Sequence, residues 1–376
     1  MTKVTADWLH GPAKSVCAML TDAGYQAWFV GGCVRNALIG APVSDLDLST
    51  DAHPETVITL AKAAGLKVIP TGIDHGTVTV VAQNIPFEIT TFRRDVATDG
   101  RRAVVAFAKT MIEDARRRDF TMNALYCDID GVVADPLGGL PDLMARRVRF
   151  IDDAEQRIKE DYLRILRFFR FYAWYGDPSE GIDADGLAAS AQNTDGLESL
   201  SQERVTAELL KLLGAPDPAP AVAAMGAGGV LRAVLPGAAP EVLSVLVHVE
   251  AQADVAPDPI RRLVALGAEH TALRLTNAHK KRIELLTGDD GLMGLAYRHG
   301  AGLAMDRALI EAASLGQPFA PALGEKIEFA AEQVFPLSAA DLMPEKQGAA
   351  LGQALREAQE KWIASAFTLT KADLLD

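Results

Sequence analysis

Apolar and polar positions alternate along the first part of the chain in a way that predicts a mixture of helices and strands. Segments whose apolar residues recur at helical spacing alternate with short apolar or alternating runs that are typical of strands. One helical segment ends at a glycine. The predicted elements are helices at residues 15–25, 34–39 and 56–64 and strands at residues 27–30, 44–48, 77–81 and 87–92. The last two strands flank a polar turn, so they predict a hairpin.

Beyond residue 150 the strand patterns vanish and helical spacing dominates. The predicted helices span residues 157–174, 205–213, 221–234, 259–266, 279–286 and 349–366. A proline-rich stretch at residues 215–220 indicates a joint between two helical parts. We therefore expect an α+β chain with a mixed-sheet head at 1–145, a helical neck at 146–215 and a helical body and tail at 216–376.

Composition adds the class of protein to this outline. The chain has 376 residues, of which 49% are hydrophobic and 23% charged, as in folded globular proteins. Its three cysteines show no paired metal-ligand spacing, which is typical of free thiols in a reducing compartment. Neither a secretory leader nor an apolar run of about 18 residues is evident, so we expect a cytoplasmic protein without a membrane span.

The charge pattern leaves nucleic-acid binding open. A net charge of −13 argues mildly against it, because phosphate binding needs positive charge. Arginines are nevertheless dense in the N-terminal half, and an acidic protein can still present one basic groove.

The first candidate site combines glycines with two acids. Asp45 and Asp47 lie two positions apart on a predicted strand, so both side chains point to one side and can hold Mg²⁺. Gly31 and Gly32 allow backbone N–H groups to approach triphosphate oxygens, and Arg35 can add a charged contact. An acid-x-acid pair also occurs by chance in so acidic a chain, so the combination with the glycines carries the prediction.

These residues resemble a known motif. Residues 31–36 (Gly-Gly-Cys-Val-Arg-Asn) with residues 45–47 (Asp-Leu-Asp) are similar to the first motif of the DNA polymerase β-type nucleotidyltransferases, in particular the class II branch of CCA-adding enzymes and bacterial poly(A) polymerases. The resemblance implies a polymerase β-like head. It also implies two Mg²⁺ ions on Asp45 and Asp47. Asn36 departs from the family, which usually has Asp there.

The next motifs extend the resemblance to about residue 215. Glu88 is either a third carboxylate near the metals or a solvated acid. Residues 116–125 resemble the family's second motif, which implies that Arg118 contacts nucleotide; an ion pair of Arg35 with Asp119 is the structural alternative. Residues 95–101 resemble the flexible loop that the group uses when it switches from C to A.

A row of charged residues on one predicted helix is the candidate for base recognition. Its members recur every three residues and are Asp161, Arg164, Arg167 and Arg170. A carboxylate only accepts and a guanidinium only donates hydrogen bonds, so such a pair accepts the edges of C and A and leaves polar groups unpaired with U or G. Residues 160–164 match the family's base-reading motif, although such a row is also typical of a solvated ion-pair face.

The resemblance implies template-independent addition of C, C and A to tRNA from CTP and ATP, with release of pyrophosphate. Four alternatives stay open: a poly(A) polymerase, a CC-adding enzyme, an inactive RNA-binding relative and a transferase acting on small molecules. Residues 280–282 (Lys-Lys-Arg) either touch tRNA phosphates or form a solvated helix face.

Overall fold

The computed structural model describes residues 2–70, 72–98, 103–343 and 345–375. Its contacts divide the chain into two compact units. The first comprises Met1–Ser201 with Ala227–Ala233, and the second comprises Gln202–Gly226 with Val234–Asp376. The predicted boundaries at residues 145 and 215 stay predictions.

A seven-stranded mixed sheet forms the centre of the first unit. The strands are β1 (Trp28–Val30), β2 (Leu46–Thr50), β3 (Lys67–Ile69), β4 (Thr77–Ala82), β5 (Ile85–Thr91), β6 (Arg93–Thr98), β7 (Ala103–Phe107), β8 (Tyr126–Cys127) and β9 (Val133–Ala134). The sheet order is β3-β4-β5-β2-β1-β8-β9, whereas β6 and β7 form a separate hairpin.

Strand pairing within this sheet positions the candidate site. Neighbours pair antiparallel except β2 and β5, which run parallel with Asp47 opposite Glu88. Directly opposed residues have their side chains on the same face of a sheet, so these two acids lie side by side.

Helices alternate with the strands in the first unit and make up the second unit. They are α1 (Pro12–Thr21), α2 (Gly32–Leu38), α3 (Pro54–Ala63), α4 (Met111–Arg116), α5 (Leu140–Met144), α6 (Ala154–Glu160), α7 (Leu163–Tyr175), α8 (Ala184–Gln192), α9 (Gln202–Leu213), α10 (Ala219–Ala227), α11 (Val230–Val234), α12 (Glu241–Gln252), α13 (Pro259–Ala265), α14 (Asn277–Thr287), α15 (Leu292–His299), α16 (Ala301–Ser314), α17 (Pro321–Ala331), α18 (Ala339–Leu342), α19 (Gly348–Ala364) and α20 (Lys371–Leu375). The predicted α+β class, a mixed-sheet head followed by helices, is confirmed.

Aromatic packing fixes α7 against the motif that precedes it. The ring of Phe120 lies 4.9 Å from the rings of Phe150 and Phe171, and Phe150 stacks on Phe168 at 5.4 Å. All four rings are buried, and such pairs stabilise beyond their buried area. The apolar face predicted for this helix therefore sets the position of its polar face.

Two helix predictions are wrong in detail. Residues 157–174 form two helices, because Asp161 is extended (φ −155°, ψ 105°) and α6 ends before it. Residues 221–234 are likewise split into α10 and α11 at Gly229, which has a φ of 77°. A left-handed glycine commonly ends a helix because it has no Cβ to clash.

The second unit contains a buried ion-pair network, named here the Glu250 network. Glu250 accepts hydrogen bonds from Arg261 and Arg262, and Arg261 also donates to Asp306 at 2.7 Å. Arg282 donates to Asp306 and Asp258. Arg282 thus belongs to an internal network rather than to the solvated face or the tRNA contact considered from the sequence.

Candidate nucleotide-binding and active site

The two predicted metal-binding acids lie at the start of β2. Asp45 precedes the strand and Asp47 is its second residue, so the strand begins two residues later than predicted. Asp45 accepts a hydrogen bond from the hydroxyl of Ser44 at 2.9 Å. Behind β2, the thiol of Cys33 is buried and donates to the carbonyl of Val30 at 3.4 Å, which agrees with its expected packing role.

Negative charge is concentrated around Asp47. Its pKa is raised to about 6, first by burial and then by the charges of Glu88 and Asp45, against the positive charge of Arg118. A cation between these carboxylates would relieve that repulsion. The donor set fits Mg²⁺, which binds one or two carboxylates and completes its shell with phosphate oxygens and water.

Glu88 lies directly opposite Asp47 in the sheet. Within residues 2–70, 72–98, 103–343 and 345–375, no group of three or more His, Cys, Asp and Glu side chains is arranged to hold a metal ion. Glu88 adds negative charge beside Asp47, and its possible role as a third metal ligand stays a prediction.

The glycine turn brings backbone close to Arg118. Gly31 has a φ of 72°, and a Cβ added there would lie 3.3 Å from Nη1 of Arg118. Gly32 begins α2, whose first-turn N–H groups have no acceptor within the helix. The turn thus places backbone donors beside the guanidinium that acts on Asp47, and its role in phosphate binding stays a prediction.

One buried carboxylate holds Arg118 in place. Asp114 accepts hydrogen bonds from Nη2 of Arg118 at 3.2 Å, from the hydroxyl of Tyr126 at 2.8 Å and from Nε of Arg117 at 2.9 Å. Burial alone would raise the pKa of Asp114, but the charges of Arg118 and Arg117 outweigh it and lower the pKa to about 2. Sequence reasoning missed Asp114, although its spacing of three and four residues from these arginines is an ion-pair signal.

Arg35 is buried and fully engaged within the protein. Its Nη2 donates to the hydroxyl of Tyr175 at 2.8 Å, and its guanidinium carbon lies 3.9 Å from the centre of that ring. Nε and Nη2 also donate to Oδ1 of Asn36, and Nη1 donates to Asn123. The hydrogen-bond partners of Arg35 are thus Asn36, Asn123 and Tyr175 rather than Asp119. Through Tyr175, Arg35 links α2 to the end of α7.

The base-reading motif lies at the break between α6 and α7. Oδ1 of Asp161 accepts from the N–H of Leu163 at 3.1 Å, which satisfies a donor of the first turn of α7. Nη1 of Arg164 donates to Glu160 at 2.6 Å and to the carbonyl of Arg157 at 2.7 Å. Asp161 and Arg164 are therefore neighbours across a helix start rather than on one helix surface.

The remaining arginines of the row surround one ring. The guanidinium carbons of Arg167 and Arg170 lie 5.4 and 4.6 Å from the centre of Phe171, and that of Arg35 lies 5.2 Å away. Arg167 also pairs with Asp119 through Nε at 2.8 Å. The structure thus brings Arg35 together with the α7 arginines, which the sequence treated as separate.

Comparison with known proteins agrees with this arrangement. Residues 27–149 match the poly A polymerase head domain, and residues 181–242 match the probable RNA and SrmB-binding site of polymerase A. Two parts of the chain are thus similar to the head domain and to the RNA-binding region of polymerase A proteins. Similarity to CCA-adding enzymes implies use of a divalent metal ion.

Individual relatives match more than half of the chain. Human mitochondrial CCA tRNA nucleotidyltransferase 1 is 41% identical over 201 residues, covering 53% of this chain and 46% of its own. The Geobacillus stearothermophilus CCA-adding enzyme is 40% identical over 229 residues, covering 60% and 55%. The chain thus spans about half the length of these family members in sequence.

A solved family structure extends the likeness. The Bacillus stearothermophilus CCA-adding enzyme in complex with CTP is 28% identical, with a TM-score of 0.70 and coverage of 94% of this chain and 92% of that one. The predicted polymerase β-like head of the family is therefore confirmed. Of the predicted switching loop, residues 95–98 belong to β6, whereas residues 99–101 lie outside the described residues.

Proposed function

We propose that this chain is a tRNA nucleotidyltransferase that adds C, C and A to the 3′ end of tRNA. CTP and ATP are the substrates, and pyrophosphate leaves. Relatives named CCA-adding enzyme and CCA tRNA nucleotidyltransferase support this proposal, because their identity to the chain is about 40%. The match to the head-domain model spans both Asp45 and Asp47.

The observation that carries the proposal is that Asp161 and Arg164 are neighbours at the start of α7. Glu160 holds the guanidinium of Arg164, and the backbone N–H of Arg164 donates to the carbonyl of Asp161 at 3.0 Å. In this proposal the carboxylate of Asp161 supplies an acceptor and the guanidinium of Arg164 supplies donors, the pattern complementary to C and A. Arg167 and Arg170 continue along α7 as further nucleotide contacts.

The residues around β2 supply the chemistry of transfer in this proposal. Asp45 and Asp47 would hold two Mg²⁺ ions, which would supply charge neutralisation at the triphosphate and acidification of the tRNA 3′-hydroxyl. The turn at Gly31 and Gly32, with Arg118, orients the phosphates so that the hydroxyl attacks the α-phosphorus in line. Catalysis then consists mainly of positioning and charge stabilisation.

The division into head, neck and body and a cytoplasmic location are also proposals. Across the part of the chain that the structure describes, no helix is long and apolar enough to cross a bilayer.

Poly(A) polymerase activity is the second candidate, because both matching family models carry polymerase A descriptions. The two functions differ in their products. A CCA-adding enzyme stops after three nucleotides on tRNA, whereas a poly(A) polymerase adds long A tails to RNA in general.

The test uses purified protein, Mg²⁺ and tRNAs that lack CCA, end in C or end in CC. Each receives CTP, ATP or both, and product lengths are resolved to one nucleotide. With CTP and ATP together, we expect addition to every one of these tRNAs to stop once its 3′ end is CCA. Long A tails on unrelated RNA would identify a poly(A) polymerase, CC products without A a CC-adding enzyme, and no addition an RNA-binding relative.

The metal assignment has its own test in Asp45→Ala. Metal binding contributes several kcal/mol to the transition state, and each 1.36 kcal/mol is tenfold in rate, so we expect a loss of at least about a thousandfold. The fold should persist because Asp45 is exposed. Asp185→Ala, at an exposed acid on α8, is the matched control; substantial Mg²⁺-dependent activity of Asp45→Ala would refute the assignment.

A further inference from the structure

The side chain of Asn123 lies between a cation and an anion. Its Oδ1 accepts a hydrogen bond from Nη1 of Arg35, and its Nδ2 donates to Oδ1 of Asp119 at 2.9 Å. A guanidinium only donates and a carboxylate only accepts, so the orientation of the amide is determined by its partners.

Asp119 passes this orientation to α7. Its Oδ2 accepts from Nε of Arg167 at 2.8 Å and from Nη2 of the same residue. Its Oδ1 also accepts from the backbone N–H of Phe120 at 2.9 Å. Burial works against the charge of Asp119, but Arg167 and Asn123 outweigh it and hold the pKa well below its ordinary value. Asp119 therefore stays ionised and keeps Arg167 as its partner.

The other end of the chain of contacts is fixed. Arg35 is clamped by Asn36 and stacked on Tyr175, and Asn36 in turn donates to the carbonyl of Pro42 at 2.6 Å. Asn123 thus receives its hydrogen bond from a guanidinium with little freedom to move. Asn123 therefore lies between a rigid guanidinium and a charged pair. In this position its amide orients the pair rather than only filling space.

We infer that Asn123 is a positioning residue, which aims Asp119 and, through it, Arg167 at the bound nucleotide. This inference rests on the proposed function, in which Arg167 contacts CTP and ATP. In this inference Asn123 acts through Asp119 rather than through its own contact with nucleotide. Its effect should therefore appear in nucleotide binding and not in the binding of tRNA.

The test is Asn123→Asp in the full chain. The new carboxylate still accepts from Arg35 but turns an acceptor toward Asp119, so the two acids repel each other and Arg167 loses its orientation. We expect the KM for CTP and for ATP to rise about tenfold, the size expected when a charge-assisted hydrogen bond is lost. The KM for tRNA should stay within about twofold, and kcat should change less than the nucleotide KM.

Two further variants separate positioning from structure. Asp119→Asn combined with Asn123→Asp restores a donor facing an acceptor, so the double variant should have a lower nucleotide KM than Asn123→Asp. Asn193→Asp is the matched control, because Asn193 donates from its amide to the carbonyl of Ala189 at 2.8 Å outside the site. We expect the control to keep the wild-type KM for both nucleotides.

Either of two results would overturn the inference. One is an unchanged nucleotide KM in Asn123→Asp. The other is an equal rise in the KM for nucleotide and tRNA without recovery in the double variant, which would mean a general structural role. Failure of the proposed function is distinct, since the wild-type protein would then add no nucleotide to tRNA.

Discussion

A buried carboxylate is unfavourable unless its oxygens are hydrogen-bonded, and Asp114 meets this condition. Arg117 binds Oδ1, whereas Arg118 and Tyr126 bind Oδ2. Removing the carboxylate charge would leave two arginine guanidinium groups with weaker partners. Asp114 therefore both stabilises the first unit and fixes the guanidinium that faces Asp47.

The pH dependence of stability tests this role. Because the pKa of Asp114 falls from 3.8 to about 2 on folding, its contribution is complete above pH 4 and is lost as the pH falls toward 2. The difference corresponds to roughly 2 kcal/mol. We expect urea unfolding of wild type and Asp114→Asn to differ by about this amount at pH 6.

The same comparison at lower pH supplies the control for Asp114. The difference in unfolding free energy between the two proteins should shrink between pH 4 and pH 2.5. A difference that stays constant over this range would mean that the carboxylate charge is not what stabilises the wild type.

At the scale of elements, the apolar pattern predicted which face of a helix is buried better than it predicted where a helix is interrupted. The face of α7 formed by Ile165, Phe168 and Tyr172 was predictable from spacing and is buried as expected. The break at Asp161 was not, because helical spacing continues through it. Only the hydrogen bond from Leu163 to the carboxylate, a contact two residues apart, reveals why α7 starts there.

The start of α7 also separates two roles of Asp161. Asn at this position still accepts the N–H of Leu163, so Asp161→Asn should keep the thermal stability of the wild type. Its amide can both donate and accept, so it should also pair with U or G. We expect discrimination of CTP against UTP to fall at least about tenfold in single-nucleotide addition assays.

Asp161→Ala is the companion variant. Loss of the side-chain acceptor should cost about 1 kcal/mol of stability, measured by urea unfolding, in addition to the loss of discrimination. If Asp161→Asn discriminates as well as the wild type, the charge of Asp161 is not part of base recognition.

At the scale of the whole molecule, the predicted site residues fall within the first unit and the Glu250 network falls within the second. The sequence predicted the helical character of residues 202–375 but not this network. Its partners are distant along the chain, and an arginine that pairs internally has the same local pattern as one that faces water. Arg282 illustrates this, since Lys280 and Lys281 beside it are consistent with a solvated face.

The Glu250 network predicts a stability effect that is separate from catalysis. Glu250→Ala would leave Arg261 and Arg262, 2% and 1% exposed, without their shared carboxylate. Breaking a buried pair in this way costs about 3–5 kcal/mol. We expect a correspondingly lower unfolding free energy of the second unit in urea, with the KM for CTP unchanged.

Glu311→Ala is the matched control for this prediction. Glu311 pairs with Arg307 on α16, but its side chain is 48% exposed, and such surface pairs contribute about 0.3–0.5 kcal/mol. Equal destabilisation by the two variants would contradict the claim that burial makes the Glu250 network important.

The parallel pairing of β2 with β5 has a consequence for how the protein is made. Asp47 and Glu88 become neighbours only after β3 and β4 have been synthesised between them. Parallel pairing closes a long loop, and contacts between distant residues form slowly. Arg118 and α7 emerge from the ribosome later still. We therefore expect a nascent chain to be unable to capture nucleotide until α7 has been released, long after its catalytic acids have been translated.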